Sequence, residues 1–187
     1  MKTTTFSQFL FLSLLAFCFA SLHGSTTHPE EVQALKDIAK TLGKSDWDFN
    51  VDPCSENPKW NLAGPYDSKL VPRNNVSCNC SIDTFCHVIT IDLSLNYLIG
   101  TVPKEWATLK FLNTIVLIGN RLSGPFPEVL TQIPTLKALI LESNNFYGNL
   151  PPELGDLPHL ERLLLGSNNF TGEWPQTLSN LTTLKDV

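Results

Sequence analysis

A 24-residue repeat is the strongest constraint that this sequence places on its fold. When the chain is shifted by 24 residues against itself, asparagines, glycines, prolines and apolar residues fall on one another. The coinciding positions are Asn96, Asn120, Asn144 and Asn168; Gly100, Gly124, Gly148 and Gly172; Pro103, Pro127, Pro151 and Pro175; and Ile91, Ile115, Leu139, Leu163 and Val187. Such a unit cannot bury its own apolar face, so consecutive copies must stack into a solenoid.

Each repeat predicts one rung of that solenoid. In the third repeat we expect a short strand around Lys137 to Leu141, pairing in parallel with its neighbours about 4.8 Å away. A turn at Asn144, a bend at the following glycine and proline, and an irregular or 3₁₀ return segment complete the rung. The predicted fold class is therefore an α/β repeat solenoid, with four 24-residue repeats and the start of a fifth in residues 88–187.

The recurring asparagines are predicted to be structural. An asparagine side chain both donates and accepts hydrogen bonds, so it can satisfy backbone groups where a turn enters the interior. Direct contact with a ligand is the alternative, but recurrence in every rung favours the structural role. The predicted ladder consists of Asn96, Asn120, Asn144 and Asn168.

Residues 1–20 are interpreted as a cleaved signal peptide. Lys2 precedes an apolar run that is shorter than a membrane span and is interrupted by serines. Cleavage leaves 12 basic and 18 acidic residues, so no basic stripe is available for nucleic acid. We expect a secreted chain without a membrane span. Its predicted glycosylation sites are the sequon asparagines Asn75, Asn79, Asn169 and Asn180.

Residues 21–87 are predicted to cap the first rung, because an end rung would otherwise expose its apolar layer. Thr27 to Glu30 resembles a capping box, and apolar residues then follow at nearly helical spacing as far as Gly43. These residues are Val32, Leu35, Ile38 and Leu42. We expect a short amphipathic helix with one buried face.

Four cysteines remain after the leader, an even number that suits an oxidising compartment: Cys54, Cys78, Cys80 and Cys86. Cys78 and Cys80 are too close in sequence to bridge each other comfortably, so one is expected to pair with Cys54 and the other with Cys86. This reasoning leaves two pairings open. A metal site that includes the adjacent His87 is the alternative, but paired C-x-x-C spacing is lacking, and we expect no metal or other cofactor.

No set of catalytic residues stands out. The histidines His23, His28, His87 and His159 are scattered among cap and turn positions. Glu30 and Glu31 are interpreted as favourable charge in a first helical turn. Asp83 is interpreted as a loop residue. We therefore expect no enzymatic activity from this chain.

Binding is the activity that the repeat predicts, because strand residues that alternate with the leucine core line the concave face of the coil. Adjacent Val and Ile there, with charged neighbours, form a candidate protein or peptide surface. Selection of these residues by strand propensity alone, or coverage by another domain, are the alternatives. The candidate residues are Asp92, Val116, Ile118, Ile140, Glu142, Arg162 and Leu164.

Two tryptophans are predicted to pack in the core. Trp106 and Trp174 lie in return segments, and both are aligned with the apolar positions Leu130, Leu154 and Leu178. Stacking on a ligand is the alternative.

The repeat LIGNRLSGPFPEVLTQIPTL and the cap motif DWDFNVDPCS resemble the extracellular part of plant leucine-rich-repeat receptor-like kinases. More narrowly, VSCNCS, CHVITIDL and KEWATL resemble the subgroup that also carries a malectin-like domain. The resemblance implies a right-handed coil with a concave parallel sheet and a disulfide-stapled cap. It also implies a peptide, cell-wall carbohydrate or co-receptor as partner, in the apoplast or at the outer face of the plasma membrane.

The chain departs from that family in lacking a malectin-like region and the kinase glycine-rich, H-R-D and D-F-G signatures. Kinase activity is therefore expected only in a longer product of the same locus, of which this chain would be the truncated ectodomain. The alternative is a free secreted leucine-rich-repeat protein that binds or inhibits a partner in the apoplast.

Overall fold

The computed structural model describes residues 25–62 and 72–187. The predicted signal peptide, residues 1–20, lies outside the described residues. Within these residues, one α-helix, α1 (Pro29–Leu42), precedes ten short strands. The strands are β1 (Asn61–Leu62), β2 (Asn74–Asn79), β3 (His87–Asp92), β4 (Ile99–Gly100), β5 (Thr114–Val116), β6 (Arg121–Pro125), β7 (Ala138–Ile140), β8 (Asn145–Gly148), β9 (Arg162–Leu164) and β10 (Asn169–Phe170).

The first sheet confirms the predicted solenoid. Its six strands lie in the order β1-β2-β3-β5-β7-β9, and the strands from β3 onward are parallel. Residues 24 apart are paired, as Ile91 is with Ile115, because each rung contributes the same strand at the same height. The alternating side chains that face inward, Ile91, Ile115, Leu139 and Leu163, are almost fully buried.

A second parallel sheet, with the strand order β10-β8-β6-β4, was missed by the sequence prediction, which placed a turn and a bend there. Its strands have only two to five residues, and three of the four contain glycine, so they lack a readable alternation. Its register also differs from the repeat, since paired residues are 22 apart, as are Ile99 and Arg121. Each strand of this sheet is therefore displaced by two residues relative to the 24-residue alignment.

The return segments are 3₁₀ helices, as the sequence predicted. Each one follows a proline, which fixes φ and sets the direction in which the segment begins. Their leucines and Trp106 complete the core from the side opposite the first sheet. The four segments are Lys104–Thr108, Glu128–Gln132, Pro152–Asp156 and Gln176–Asn180.

The repeated asparagines hydrogen-bond across rungs. Asn144 Nδ2 donates to the carbonyl oxygen of Leu117, in the preceding rung, at 2.8 Å, and to that of Leu141, in its own rung, at 3.1 Å. Asn144 Oδ1 accepts from the backbone amide of Leu122 at 3.1 Å. One buried side chain thus satisfies three backbone groups that the turn leaves unpaired. The same arrangement is made by Asn120 and Asn168.

In the first rung, the asparagine connects the repeats to the cap. Asn96 Nδ2 donates to the carbonyl oxygens of Arg73 and Ser94. Its Oδ1 accepts from Lys44 Nζ at 2.6 Å, and that ammonium also contacts Asp46 at 2.8 Å. The Lys44 side chain is 3% exposed, and these partners compensate its burial. The cap therefore supplies the contact that a preceding rung would have made.

Helix α1 confirms the predicted amphipathic helix, but the predicted capping box is wrong. The N-cap is His28, whose Nδ1 accepts from the amide of Glu30 at 3.3 Å. Thr27 instead donates from its hydroxyl to Asp52 at 2.7 Å, so its side chain is not available to the helix. The helix ends at Gly43, whose φ of 70° lies in the left-handed region that glycine tolerates.

The disulfides select one of the two pairings that the sequence left open. Cys54 bonds to Cys78, and Cys80 bonds to Cys86. The first bond links the loop after α1 to strand β2, which runs antiparallel to β3 and covers the edge of the first repeat strand. The cap is thus covalently held at the end of the sheet that it closes.

We expect Asn144→Leu to lower the free energy of unfolding by on the order of 1–3 kcal/mol, because it leaves buried backbone groups unpaired. Chemical denaturation followed by circular dichroism measures this difference. The matched control is Asn145→Ala at the adjacent exposed position, where we expect a change within about 0.5 kcal/mol. If the two variants denature alike, the asparagines do not hold the rungs together.

Candidate binding surface

The first sheet arranges side chains from five strands into one continuous row on its concave side. Register places Asn75 beside Asp92, and the row continues with one residue from each later rung. Side chains alternate along a strand, so this row faces away from the buried leucines and isoleucines. In spatial order the row is Asn75, Asp92, Val116, Ile140 and Leu164.

The apolar part of this row is less accessible than the sequence suggested. Ile140 was expected to be exposed, but its exposed fraction is only 8%. Its strand is central, and Val116 and Leu164 flank it in register on both sides. Val116, Ile118 and Leu164 are half-buried, so they supply most of the apolar surface that a partner can reach.

Asp92, predicted to contact a ligand, is engaged within the protein. Its exposed fraction is 8%, and its carboxylate lies 3.3 Å from the Arg73 guanidinium. The Ser94 amide and hydroxyl both donate to Asp92 Oδ1. These contacts compensate the buried charge and fix the segment after β3, so they support a structural role for Asp92.

The other two predicted charged residues lie further along the coil. Arg162 is exposed and makes a two-nitrogen ion pair with Asp186, with Nε and Nη2 each 2.8 Å from Oδ2. Glu142 is half-buried, and Gly166 in the next rung leaves room for it, since a Cβ there would lie 3.2 Å from Glu142 Oε1. The concave surface thus has an apolar centre with one acidic and one basic group beside it.

A cavity of about 450 Å³ adjoins this surface at the last complete rung, and sequence reasoning did not find it. Glu142 and Leu164 of the concave surface line it, together with Phe170, Trp174 and Val187. The cavity extends the candidate surface beyond the predicted row.

The predicted core position of Trp174 is wrong, since this side chain is 59% exposed. Trp106 is buried as expected. Trp174, however, lies 24 residues after Leu150, and therefore aligns with Val102, Phe126 and Leu150 rather than with Trp106.

A buried ionic cluster joins the cap to the first rung. Glu31 was expected only to place a negative charge at the start of a helix, but it is buried. Its carboxylate accepts a hydrogen bond from the Val88 amide at 2.7 Å and lies 2.8 Å from His87 Nδ1. His87 Nε2 lies 3.1 Å from Asp83, expected to be a plain loop residue. The rings of His28 and His87 stack with centroids 5.5 Å apart. The fold thus assembles residues that the sequence scatters.

This cluster controls the protonation of His87. Burial of the ring lowers the pKa of His87, but hydrogen bonds to Glu31 and Asp83 outweigh burial and leave the pKa above its ordinary value of 6.5. Both carboxylates accept from the protonated ring, which has a donor at each nitrogen.

Among residues 25–62 and 72–187, no group of three His, Cys, Asp or Glu side chains is arranged to hold a metal ion.

The four sequon asparagines fall into two pairs. Asn169 and Asn180 are exposed, on β10 and on the last 3₁₀ helix. Asn75 and Asn79 are half-buried on β2, and each accepts a hydrogen bond from the serine of its own sequon, at 3.1 Å and 2.7 Å. Because Asn75 is in register with Asp92, a glycan there would stand at the cap end of the concave row.

A protein-family model described as Leucine Rich Repeat matches residues 135–157 and 159–181. A probable LRR receptor-like serine/threonine-protein kinase of Arabidopsis thaliana is 44% identical to this chain over 93 residues. That match covers 48% of this chain and 9% of the relative, so the similarity lies within about a tenth of the kinase's length.

Within the described part of the chain, none of the helices has the length and apolar character needed to cross a membrane.

Solved plant receptor structures share the fold. A chain in the BIR3–SERK2 complex from Arabidopsis thaliana superposes with a TM-score of 0.63 at 26% identity, covering 84% of this chain and 79% of that one. The plant peptide hormone receptor RGFR1, in complex with RGF2, gives a TM-score of 0.51 at 34% identity. This second match covers 52% of this chain and 16% of the receptor.

The ionic cluster predicts a pH dependence of stability. Since the pKa of His87 is raised on folding, its contribution is fully present below about pH 6.5 and is lost as the pH rises through the higher folded pKa. We expect the free energy of unfolding to be higher for the parent than for His87→Gln. This difference should be largest at acidic pH and smaller at alkaline pH. Chemical denaturation at a series of pH values measures this difference. His159→Gln removes an exposed histidine outside the cluster, and an equal pH dependence in both variants would contradict the assignment.

Proposed function

We propose that this leucine-rich-repeat solenoid is the extracellular recognition module of a plant receptor-like kinase and binds a peptide or a co-receptor ectodomain through its concave surface. The observation that carries the proposal is the in-register row of Val116, Ile140 and Leu164 on the concave side. Ile118, Glu142 and Arg162 border this row, giving an apolar centre with a charged rim. Such a composition suits a protein or peptide partner.

The similar proteins support both kinds of partner. RGFR1 is a plant peptide hormone receptor, and its solved structure contains RGF2. BIR3 and SERK2 form a complex with each other. The matched chains of these structures share the repeat-solenoid fold of this chain. An extended peptide could therefore lie along the concave row, and a second ectodomain could bind beside it.

The signalling activity is proposed for a longer product of the locus. The kinase relative matches this chain over 9% of its own length, and this chain carries no kinase signature. In the longer product we place a malectin-like domain, a membrane span and a serine/threonine kinase after the repeats, because VSCNCS, CHVITIDL and KEWATL resemble that subgroup. The described repeats would then lie at the outer face of the plasma membrane.

Sequencing of full-length transcripts tests this longer product directly. We expect reads that continue past the codon for Val187 into further repeats, a membrane span and the kinase glycine-rich, H-R-D and D-F-G motifs. If every transcript ends at that codon, the receptor-kinase part of the proposal is wrong, and the free secreted binding protein takes its place.

Charged substitutions test the concave surface. We expect the double variant Ile118→Asp, Leu164→Asp to bind at least tenfold more weakly, because desolvated apolar anchors dominate such interfaces and tenfold corresponds to about 1.4 kcal/mol. Ile140 is unsuitable, since a charge at this nearly buried position would destabilise the sheet. Two probes are used: immobilised SERK2 ectodomain, and peptides from a displayed random library that were selected for binding to the parent chain. Binding is measured by interferometry.

Glu128→Lys is the matched control, because it changes a charge on an exposed return segment away from the concave side. Secretion yield and melting temperature are compared first, so that lost binding is not confused with lost folding. Equal binding by the parent and the double variant would place the partner elsewhere. Greater loss in Glu128→Lys than in the double variant would assign binding to the return-segment side.

A further inference from the structure

Two exposed tyrosines have different surroundings: Tyr97, which precedes β4, and Tyr147 on β8 of the second sheet. The ring of Tyr97 is covered by the Arg121 guanidinium at 5.6 Å from its centroid. Tyr147 is 53% exposed, and its side chain makes no ring contact, ion pair or hydrogen bond with the residues that the structure describes. Its aromatic face is therefore open to a group that the polypeptide itself does not supply.

The register of this sheet places a sequon beside that open ring. Asn169 pairs with Tyr147, and both are exposed. In-register residues of parallel strands project to the same side, with their strands about 4.8 Å apart. Behind them, Phe146 and Phe170 stack on the buried side with centroids 6.1 Å apart, which fixes the orientation of both strands. The 24-residue alignment pairs Asn169 with Asn145, so only the observed register reveals the tyrosine.

We propose that Asn169 carries an N-linked glycan whose first sugar packs against the ring of Tyr147 and stabilises the last complete rung. The inference rests on the proposed extracellular role, because it needs passage through the secretory pathway. It adds a structural role for the sugar, which the presence of the sequon Asn169-Phe170-Thr171 does not by itself imply.

The covalent step uses the Asn169 amide and a lipid-pyrophosphate-linked oligosaccharide as the donor. A bond forms between Asn169 Nδ2 and the anomeric carbon of the first sugar. The bond from that carbon to the pyrophosphate oxygen breaks, the amide nitrogen loses one proton, and the lipid pyrophosphate leaves. No oxidant or reductant is required.

The geometry then suits contact between sugar and ring. A short side chain on one strand carries the sugar outward, and the longer tyrosine side chain on the neighbouring strand reaches a similar height. One face of a pyranose presents C–H bonds, whose positively polarised hydrogens are attracted to the negative face of an aromatic ring. The phenol hydroxyl stays at the rim, where it can hydrogen-bond to the sugar or to water.

The other exposed sequon provides a contrast within the same rung. Asn180 ends the last 3₁₀ helix. No aromatic residue follows or precedes it in that helix, Gln176–Asn180. Asn180 therefore serves as a reference for the general effect of glycosylation, because no strand register pairs it with an aromatic residue.

A double-mutant cycle on the secreted full chain tests the contact. Peptide mass spectrometry first measures occupancy at each sequon. Melting temperatures are then compared for the parent, Asn169→Gln, Tyr147→Ala and the combined variant. We expect Asn169→Gln to lower the melting temperature by about 2–4 °C when Tyr147 is present, the shift for about 1 kcal/mol in a chain of this size. In the Tyr147→Ala background we expect no such shift.

Two further variants sharpen the outcome. Tyr147→Phe retains the ring and should preserve the dependence on Asn169. Asn180→Gln should change the melting temperature equally with and without the Tyr147 ring. Additive effects of Asn169→Gln and Tyr147→Ala would overturn the proposal, as would an unmodified Asn169 in a chain glycosylated at Asn180, and neither result affects the proposed binding function. Failure of the chain to enter the secretory pathway would contradict both.

Discussion

The hydrogen bonds of the buried asparagines are the interactions on which the rest of the solenoid depends. The Asn144 amide, for example, donates to the carbonyl oxygens of Leu141 in its own rung and Leu117 in the preceding rung, and it accepts from the Leu122 amide in the second sheet. A short link of this kind fixes the distance between rungs and the direction in which the chain leaves the first sheet. Leucine packing fills the space inside, but packing alone would allow rungs to slide, because apolar contacts are not directional.

The cap extends the same bonding pattern to a part of the chain that lacks the repeat. Lys44 reaches Asn96, and strand β2 gives the first repeat strand an antiparallel neighbour. Glu31, on α1, accepts a hydrogen bond from the Val88 amide, on β3, at the boundary between the helix and the sheet. Polar groups at this boundary therefore find partners within the cap, and each contact involves residues far apart in sequence. The cap lacks the repeat sequence, but it thus makes the hydrogen bonds that a preceding rung would make.

Features that depend on one rung at a time could be predicted from the sequence. The period located the strands of the first sheet and the 3₁₀ returns, and the spacing of Leu35, Ile38 and Leu42 located α1. Features that depend on how rungs meet could not be predicted. The second sheet, with its 22-residue register, the burial of Ile140 between Val116 and Leu164, and the ionic partners of Asp92 and His87 all arise from neighbours distant in sequence. The position of the candidate surface stays a prediction, whereas the burial of Ile140 and Asp92 could not be predicted.

The antiparallel strands β1 and β2 of the cap occupy one end of the first sheet, and this gives the molecule a direction of growth. Rungs can be added only on the side away from the cap, and each one bonds to the rung immediately before it. A ribosome delivers the chain in that same order, and domains commonly begin to fold from the N-terminus during synthesis. The completed cap can therefore act as a template from which each emerging repeat finds its partner about 24 residues behind it, without waiting for the rest of the chain.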